Sequence, residues 1–243
     1  MSKTYTNHPL TDIYLKCVRS HKEPYCADVF GKEIIVYPNV MSPRYDRSSR
    51  FHILNMPDQK GKSVLEIGCG CGVIGLFAAF QKAKKITAVD INAYALENTK
   101  ENFKKFNIKN VKVFYSDLFS NVKETFDTIT FALPYYGTEP KDILEHGISD
   151  HNYKTLRRLM KESPQYLRKN GQVILGFSDW SDTELLDELI EENNYKLIDR
   201  REETANGWTA YLYILEMKKY GMDLDPRRLE LLTSWMQTRR STN

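Results

Sequence analysis

The residues Val64-Leu65-Glu66-Ile67-Gly68-Cys69-Gly70-Cys71-Gly72 constrain this chain more than any others: a short apolar run enters a loop with glycine at every second position, and an apolar, helix-forming segment follows. A strand that turns through glycine into a helix is the first unit of a βα repeat, and the sequence beyond it keeps that alternation. β-branched and aromatic runs predict strands at Ser63–Ile67, Ile86–Val89, Val111–Tyr115, Phe126–Phe131 and Gln172–Phe177. Amphipathic stretches predict helices between them, at about Gly72–Gln81, Ala93–Phe106, Asn152–Leu167 and Ser181–Glu192, with Ser181 as the cap of the last. Two closing strands, Tyr195–Glu203 and Thr209–Leu215, are joined by Ala205-Asn206-Gly207, a hairpin signal. The expected class is α/β, a Rossmann-like sheet that closes with an antiparallel hairpin.

The repeat begins near residue 62 and ends near 216, and these bounds define the expected catalytic domain. Residues 1–61 read as an irregular lead-in or lid, with helix-like stretches at Leu10–Arg19 and Ser48–Asn55 interrupted by Pro24, Pro38 and Pro43. Residues 217–243 read as a basic tail in which Asp225-Pro226 starts a helix bearing Leu229, Leu232, Trp235 and Met236 on one face, a surface for packing or self-association. Neither an apolar leader nor a run of roughly 18 apolar residues occurs, so no membrane span is expected and the cytoplasm is the expected location. With 35 basic against 32 acidic residues, charge neither requires nor excludes a polyanionic partner. The four cysteines lack the spacing of a disulfide framework or zinc site, the histidines lack ligand spacing, and no metal is expected.

Gly70-x-Gly72-x-x-Gly75 alone suits a dinucleotide, whose pyrophosphate would sit on the helix N-terminus. Glu66, at the carboxyl end of the first strand, argues otherwise, because a carboxylate there opposes a pyrophosphate and favours a cation. S-adenosylmethionine carries an ammonium and a sulfonium. Asp90, ending the second strand about 20 residues beyond the glycines, can accept both hydroxyls of a ribose. Asp117, after the third strand, can accept from an adenine amine.

Together these segments resemble a class I S-adenosylmethionine-dependent methyltransferase over about Ser63 to Leu215. Val64 to Ala79 is similar to the family's first motif, and Ala88-Val89-Asp90-Ile91-Asn92 with Ala95-Leu96-Glu97-Asn98 to its second. Leu167 to Leu175 resembles the turn and strand before the closing hairpin, and Tyr37 to Tyr45 a segment preceding the core in the small-domain branch, which includes release-factor glutamine and ribosomal RNA guanine methyltransferases. The resemblance implies a seven-stranded sheet and a cofactor site built from Glu66, Gly68, Cys69, Gly70, Asp90, Ile91, Asn92, Ser116, Asp117, Leu118 and Ala132.

That branch carries Asn-Pro-Pro-Tyr after the fourth strand, the Asn accepting from a planar substrate amine. Here the residues are Ala132-Leu133-Pro134-Tyr135, followed by Tyr136, and alanine cannot accept that bond. Pro134, Tyr135 and Tyr136 are the expected substrate contacts, with the two tyrosines also in catalytic roles. Methyl transfer mainly requires alignment and removal of a proton. The candidate bases lie in the next loop (Glu139, Asp142, Glu145, His146, Asp150, His151); His146 and His151 are the preferred pair, with Tyr136 as a relay. Arg44 or Arg47 offers a fork to a carboxylate. The expected activity is methylation of a nitrogen or oxygen of a small molecule or an unusual amino-acid or peptide group. Competing readings are a protein or nucleic-acid methyltransferase, an enzyme that uses the aminocarboxypropyl arm of the cofactor, and a noncatalytic cofactor-binding module. Nucleic acid remains a possible partner that the scattered basic residues do not indicate.

Overall fold

A computed structural model describes residues 8–218, so the helix expected from Asp225-Pro226 lies outside the described residues. The lead-in contains α1 (Pro9–Ser20), a hairpin of β1 (Tyr25–Val29) and β2 (Lys32–Val36), and α2 (Ser48–Asn55). Then follow β3 (Ser63–Ile67), α3 (Val73–Phe80), β4 (Lys85–Asp90), α4 (Ala93–Lys105), β5 (Val111–Tyr115), β6 (Phe126–Ala132), α5 (Lys154–Glu162), β7 (Leu167–Ser178), α6 (Thr183–Glu192), β8 (Tyr195–Ala205) and β9 (Trp208–Met217).

The last seven strands form one sheet in the order β5-β4-β3-β6-β7-β9-β8, the expected Rossmann-like sheet. All pairings up to β7 are parallel, and β9 runs antiparallel to both β7 and β8. The chain moves outward from β3 to β5 and returns to β6 on the other side of β3. Strand order therefore reverses between β3 and β6, the place where open α/β sheets bind ligands at their carboxyl ends. Side chains alternate across the sheet. Leu65, Ile67, Ile129 and Leu175 pack under α5 and α6, whereas Val64, Ile86 and Ile174 pack against α2, α3 and α4. Alternation places Glu66 on the side of Val64, facing α3.

The lead-in is more ordered than the sequence suggests. Phe30 and Gly31 both have positive φ (50° and 74°), the geometry of a two-residue hairpin turn, and this turn was missed because phenylalanine rarely occupies it. The exposed backbone of β2 is met by buried amides of α4. Asn98 accepts from the Tyr37 amide, and Asn102 both accepts from and donates to the Ile35 backbone while donating to the Cys71 carbonyl. These two side chains fasten the lead-in to the core.

Three local expectations are corrected. The helix expected over 152–167 starts only at Lys154, because Asn152 and Tyr153 have positive φ, and gives way at Ser163 to a 3-10 turn where Pro164 lacks an amide proton. Asp182, not Ser181, caps α6 by accepting from the Leu185 amide. Strand β7 begins five residues early, and the Lys-Asn-Gly turn expected before it is an irregularity opposite Phe126 and Thr128, with Asn170 at φ 60°.

Candidate active site

A cavity of about 600 Å3 opens at the carboxyl ends of β3, β4, β5 and β6. All eleven residues of the expected cofactor set line it, as do Pro134, Tyr135 and His146. They meet because the sheet brings the ends of four strands together.

The glycine loop is shaped by close approach. Gly68, at φ 61°, would place a Cβ 2.6 Å from the Phe131 ring, and a Cβ at Gly75 would fall 2.5 Å from Glu66 Oε2. Asp90 anchors the loop from outside: its two oxygens accept from the amides of Gly70 (2.9 Å) and Asn92 (2.8 Å). Asn92 caps α4 and donates to the Asn39 carbonyl, joining the cofactor side to the lead-in. Ser116 turns its hydroxyl inward to the Leu118 carbonyl and so shapes the loop that presents Asp117. Both Asp117 oxygens are engaged by Nη1 of Arg158 on α5, a partner that the sequence reading did not identify.

Burial raises the carboxyls of Glu66 and Asp90, Glu66 to about 8. Glu66 Oε2 has no hydrogen-bond partner. A buried oxygen without a donor is costly. The residues therefore fit a cofactor that brings a cation and N–H or O–H donors to this end of the cavity, as S-adenosylmethionine does. The thiols of Cys69 and Cys71 are buried and free, and burial pushes Cys71 up to about 12, so both stay protonated and unreactive.

The other end of the cavity is assembled from distant segments. Tyr14 and Ile13 come from α1, Met41 and Asp46 from the lead-in, Ile143 and His146 from the loop after β6, Trp180 from the turn after β7, and Trp208 from β9. The Tyr135 ring lies 6.2 Å from each of Trp180 and Trp208, which are 5.0 Å apart. The Tyr135 carbonyl accepts from the Tyr153 hydroxyl, which itself accepts from the Asp182 amide. Burial drives the phenols of Tyr14 and Tyr135 well above their ordinary value, making them donors rather than bases.

Three expected site residues lie elsewhere. Tyr136 is buried outside the cavity, its hydroxyl on Thr11 (2.6 Å) and the His8 amide, its ring stacked on Trp180; it is a packing residue. His151 is exposed, with Nδ1 on Glu139 and Nε2 on Asn152. Arg44 is exposed, its guanidinium over Tyr45, and Arg47 lines the cavity in its place. The remaining carboxylates proposed as bases are engaged: Asp142 and Glu145 pair with Arg19, and Asp150 accepts from the amides of Thr155 and Leu156 at the start of α5. Residues that the sequence reading passed over include Asp46, Ser48, Tyr14, Trp180 and Trp208. Asp46 lies within the Met41–Arg50 segment, between Arg44 and Arg47, whose charge dominates its sequence signature.

Comparison with known proteins agrees with this geometry. The chain is 38% identical over 152 residues to a putative protein N5-glutamine methyltransferase of Methanocaldococcus jannaschii, covering 60% of this chain and 76% of the relative. It is 32% identical over 155 residues to the ribosomal RNA small subunit methyltransferase C of Vibrio vulnificus, but this match covers 62% of the chain and spans only 42% of that relative. Among solved structures, a methyltransferase from Pyrococcus furiosus superposes with a TM-score of 0.60 at 21% identity, covering 86% of this chain and 96% of its own. The Thermus thermophilus 16S rRNA N2 G1207 methyltransferase, solved with S-adenosylmethionine and guanosine, gives a TM-score of 0.59 at 17% identity over 81% of this chain and half of its own. The family model for the methyltransferase small domain matches residues 32–194, and the chain belongs to that family of S-adenosylmethionine-dependent methyltransferases.

Proposed function

We propose that the enzyme methylates a nitrogen or oxygen of a small molecule or an unusual amino-acid or peptide group. The observation that carries this reading is Ala132 at the cavity wall, where a planar amide or nucleobase amine would need a side-chain acceptor. The bound cofactor supplies an activated methyl carbon. Glu66, Asp90 and Asp117 hold its ammonium, ribose and adenine ends, and the glycine loop lets the backbone approach closely. The described part of the lead-in, residues 8–61, acts as the lid over residues 62–216: α1 and the segment from Asn39 to Ser49 line the cavity and enclose the acceptor. His146, on a 3-10 turn at the rim, is the remaining histidine placed to take a proton at the mouth.

The second reading, methylation of a protein glutamine or of a nucleic acid, is favoured by what the two relatives are named for, a protein glutamine and ribosomal RNA. Incubation with methyl-labelled S-adenosylmethionine and fractionated host extract separates the two. Label in the low-mass or short-peptide fraction supports our reading, and label in intact protein or RNA overturns it. S-adenosylhomocysteine as co-product marks methyl transfer, whereas methylthioadenosine would show use of the aminocarboxypropyl arm. Restoring the amide acceptor with Ala132→Asn should not by itself create glutamine methylation of a model peptide, because the aromatic walls are unchanged.

A further inference from the structure

The acceptor end of the cavity contains a carboxylate, Asp46, that forms no ion pair among the described residues. Asp46 sits deep in the protein, yet keeps partial exposure because its free side opens on the cavity. Its oxygens accept from the Ser48 amide (3.0 Å) and the Ser48 hydroxyl, and the Arg47 amide also favours its charged form, which still leaves a lone pair available. The neighbouring guanidinium makes no ion pair with it: the two terminal nitrogens of Arg47 donate to the Glu203 carboxylate and to the carbonyls of Glu203, Ala205 and Trp208, its central carbon is 4.0 Å from the Trp208 ring centroid, and its buried Nε is without a partner. Asp46 has no ion pair among the described residues. Around it stand aromatic rings, whose faces attract cations and pack on flat apolar groups. Tyr14 and Tyr135 both sense its charge, and Tyr135 shares Ser48 with it.

We propose that Asp46 binds the methyl acceptor directly, and that the acceptor is an amine carried on an aromatic or apolar body. This rests on the small-molecule reading above and narrows it. Asp46 pairs with the ammonium beside Tyr14 and Tyr135, with Trp180 and Trp208 further along the cavity, and takes one of its protons. The freed nitrogen lone pair forms the new C–N bond as the C–S bond breaks, the electron pair of that bond stays on sulfur, and the methylated ammonium keeps its remaining protons. Burial assists the proton step, since it raises the Asp46 carboxyl and lowers an ammonium, bringing the two closer. The other titratable groups facing Asp46 are Arg47, Tyr14 and Tyr135, and none of them is a base at neutral pH.

The test uses the full chain saturated with S-adenosylhomocysteine and three ligands of one body: tyramine, N-acetyltyramine and 3-(4-hydroxyphenyl)propionate. Calorimetry should show tyramine binding about tenfold or more tighter than the neutral amide and the acid. The indole N–H resonances of Trp180 and Trp208 should shift with tyramine. Asp46→Asn should erase the preference and leave S-adenosylhomocysteine affinity unchanged, and Asp46→Glu should restore part of it. Equal binding of the three ligands by the wild-type protein overturns the proposal even if the variants do not fold, as does no binding of any, or a preference that survives Asp46→Asn. If the preference fails while label still enters the low-mass fraction, only this proposal is lost. If label enters protein or RNA, the small-molecule reading is lost with it.

Discussion

The two ends of the cavity are built on different plans. The cofactor end comes from residues at the carboxyl ends of successive strands, each next to the loop it shapes: Glu66 after Leu65, Asp90 before Asn92, Ser116 beside Asp117. The acceptor end gathers α1, the lead-in, the loop after β6 and both closing turns, segments that meet only through the tertiary fold. A local site can be read from spacing because backbone geometry fixes it. An assembled site has no spacing to read, and its specificity can change without touching the cofactor machinery.

If that division is real, changes at the cofactor end should act on cofactor binding and changes at the acceptor end should leave it alone. The largest effect should come from Asp90→Ala, which removes the acceptor for the Gly70 and Asn92 amides as well as the ribose contact we propose for it. Calorimetry should show S-adenosylmethionine affinity falling by about a hundredfold or more, and unchanged affinity would break the comparison. Next is the acid stability of the frame both ends share. His52 is buried between Thr130 and Gly176, and burial lowers its pKa from 6.5 to about 3. The unfolded chain therefore binds a proton that the folded one refuses between these values, so stability falls as pH drops from about 6.5 towards 3, by roughly 4 kcal/mol. Urea midpoints for wild type and His52→Gln should differ in slope over that window.

A smaller effect distinguishes the cofactor end. The raised Glu66 carboxyl contributes stability to the free protein that is fully present below pH 4.5 and lost as pH rises through about 8. Binding an ammonium reverses that preference, so S-adenosylmethionine affinity should rise roughly tenfold as Glu66 ionises near pH 8, with proton release detectable by calorimetry in buffers of different ionisation heat. Glu66→Gln should flatten the profile. The smallest effect tests the acceptor end. Tyr136→Phe removes the hydroxyl bonded to Thr11 and His8 and should cost about 1 kcal/mol of stability with cofactor affinity unchanged.

What the sequence disclosed follows the same division. Alternating strands and helices gave the order of the core elements and most of their bounds to within a few residues. The acids at three strand ends, the glycines and Ala132 were legible because each sits beside its own turn. Tyr136, His151 and Arg44 were misplaced because a polar side chain in a loop has the same sequence signature whether it faces a cavity, a neighbouring ring or solvent. Trp180 and Trp208 gave no signal, since they approach each other only when β7 and β9 pair. The β1–β2 hairpin was hidden by Phe30, which takes a turn conformation that its side chain disfavours and gains an edge contact with Phe77.

Arg47 reaches Glu203, Ala205 and Trp208 across 156, 158 and 161 residues, and Arg201 reaches back 146 residues to the Asn55 carbonyl. Contacts of such separation form only when the late hairpin exists. During synthesis, β3, β4 and the glycine loop between them emerge long before β9. A growing chain therefore makes Tyr14 and Asp46 before the strands of the cofactor cradle and Trp208 long after them, so the acceptor end is complete only once the late hairpin has paired.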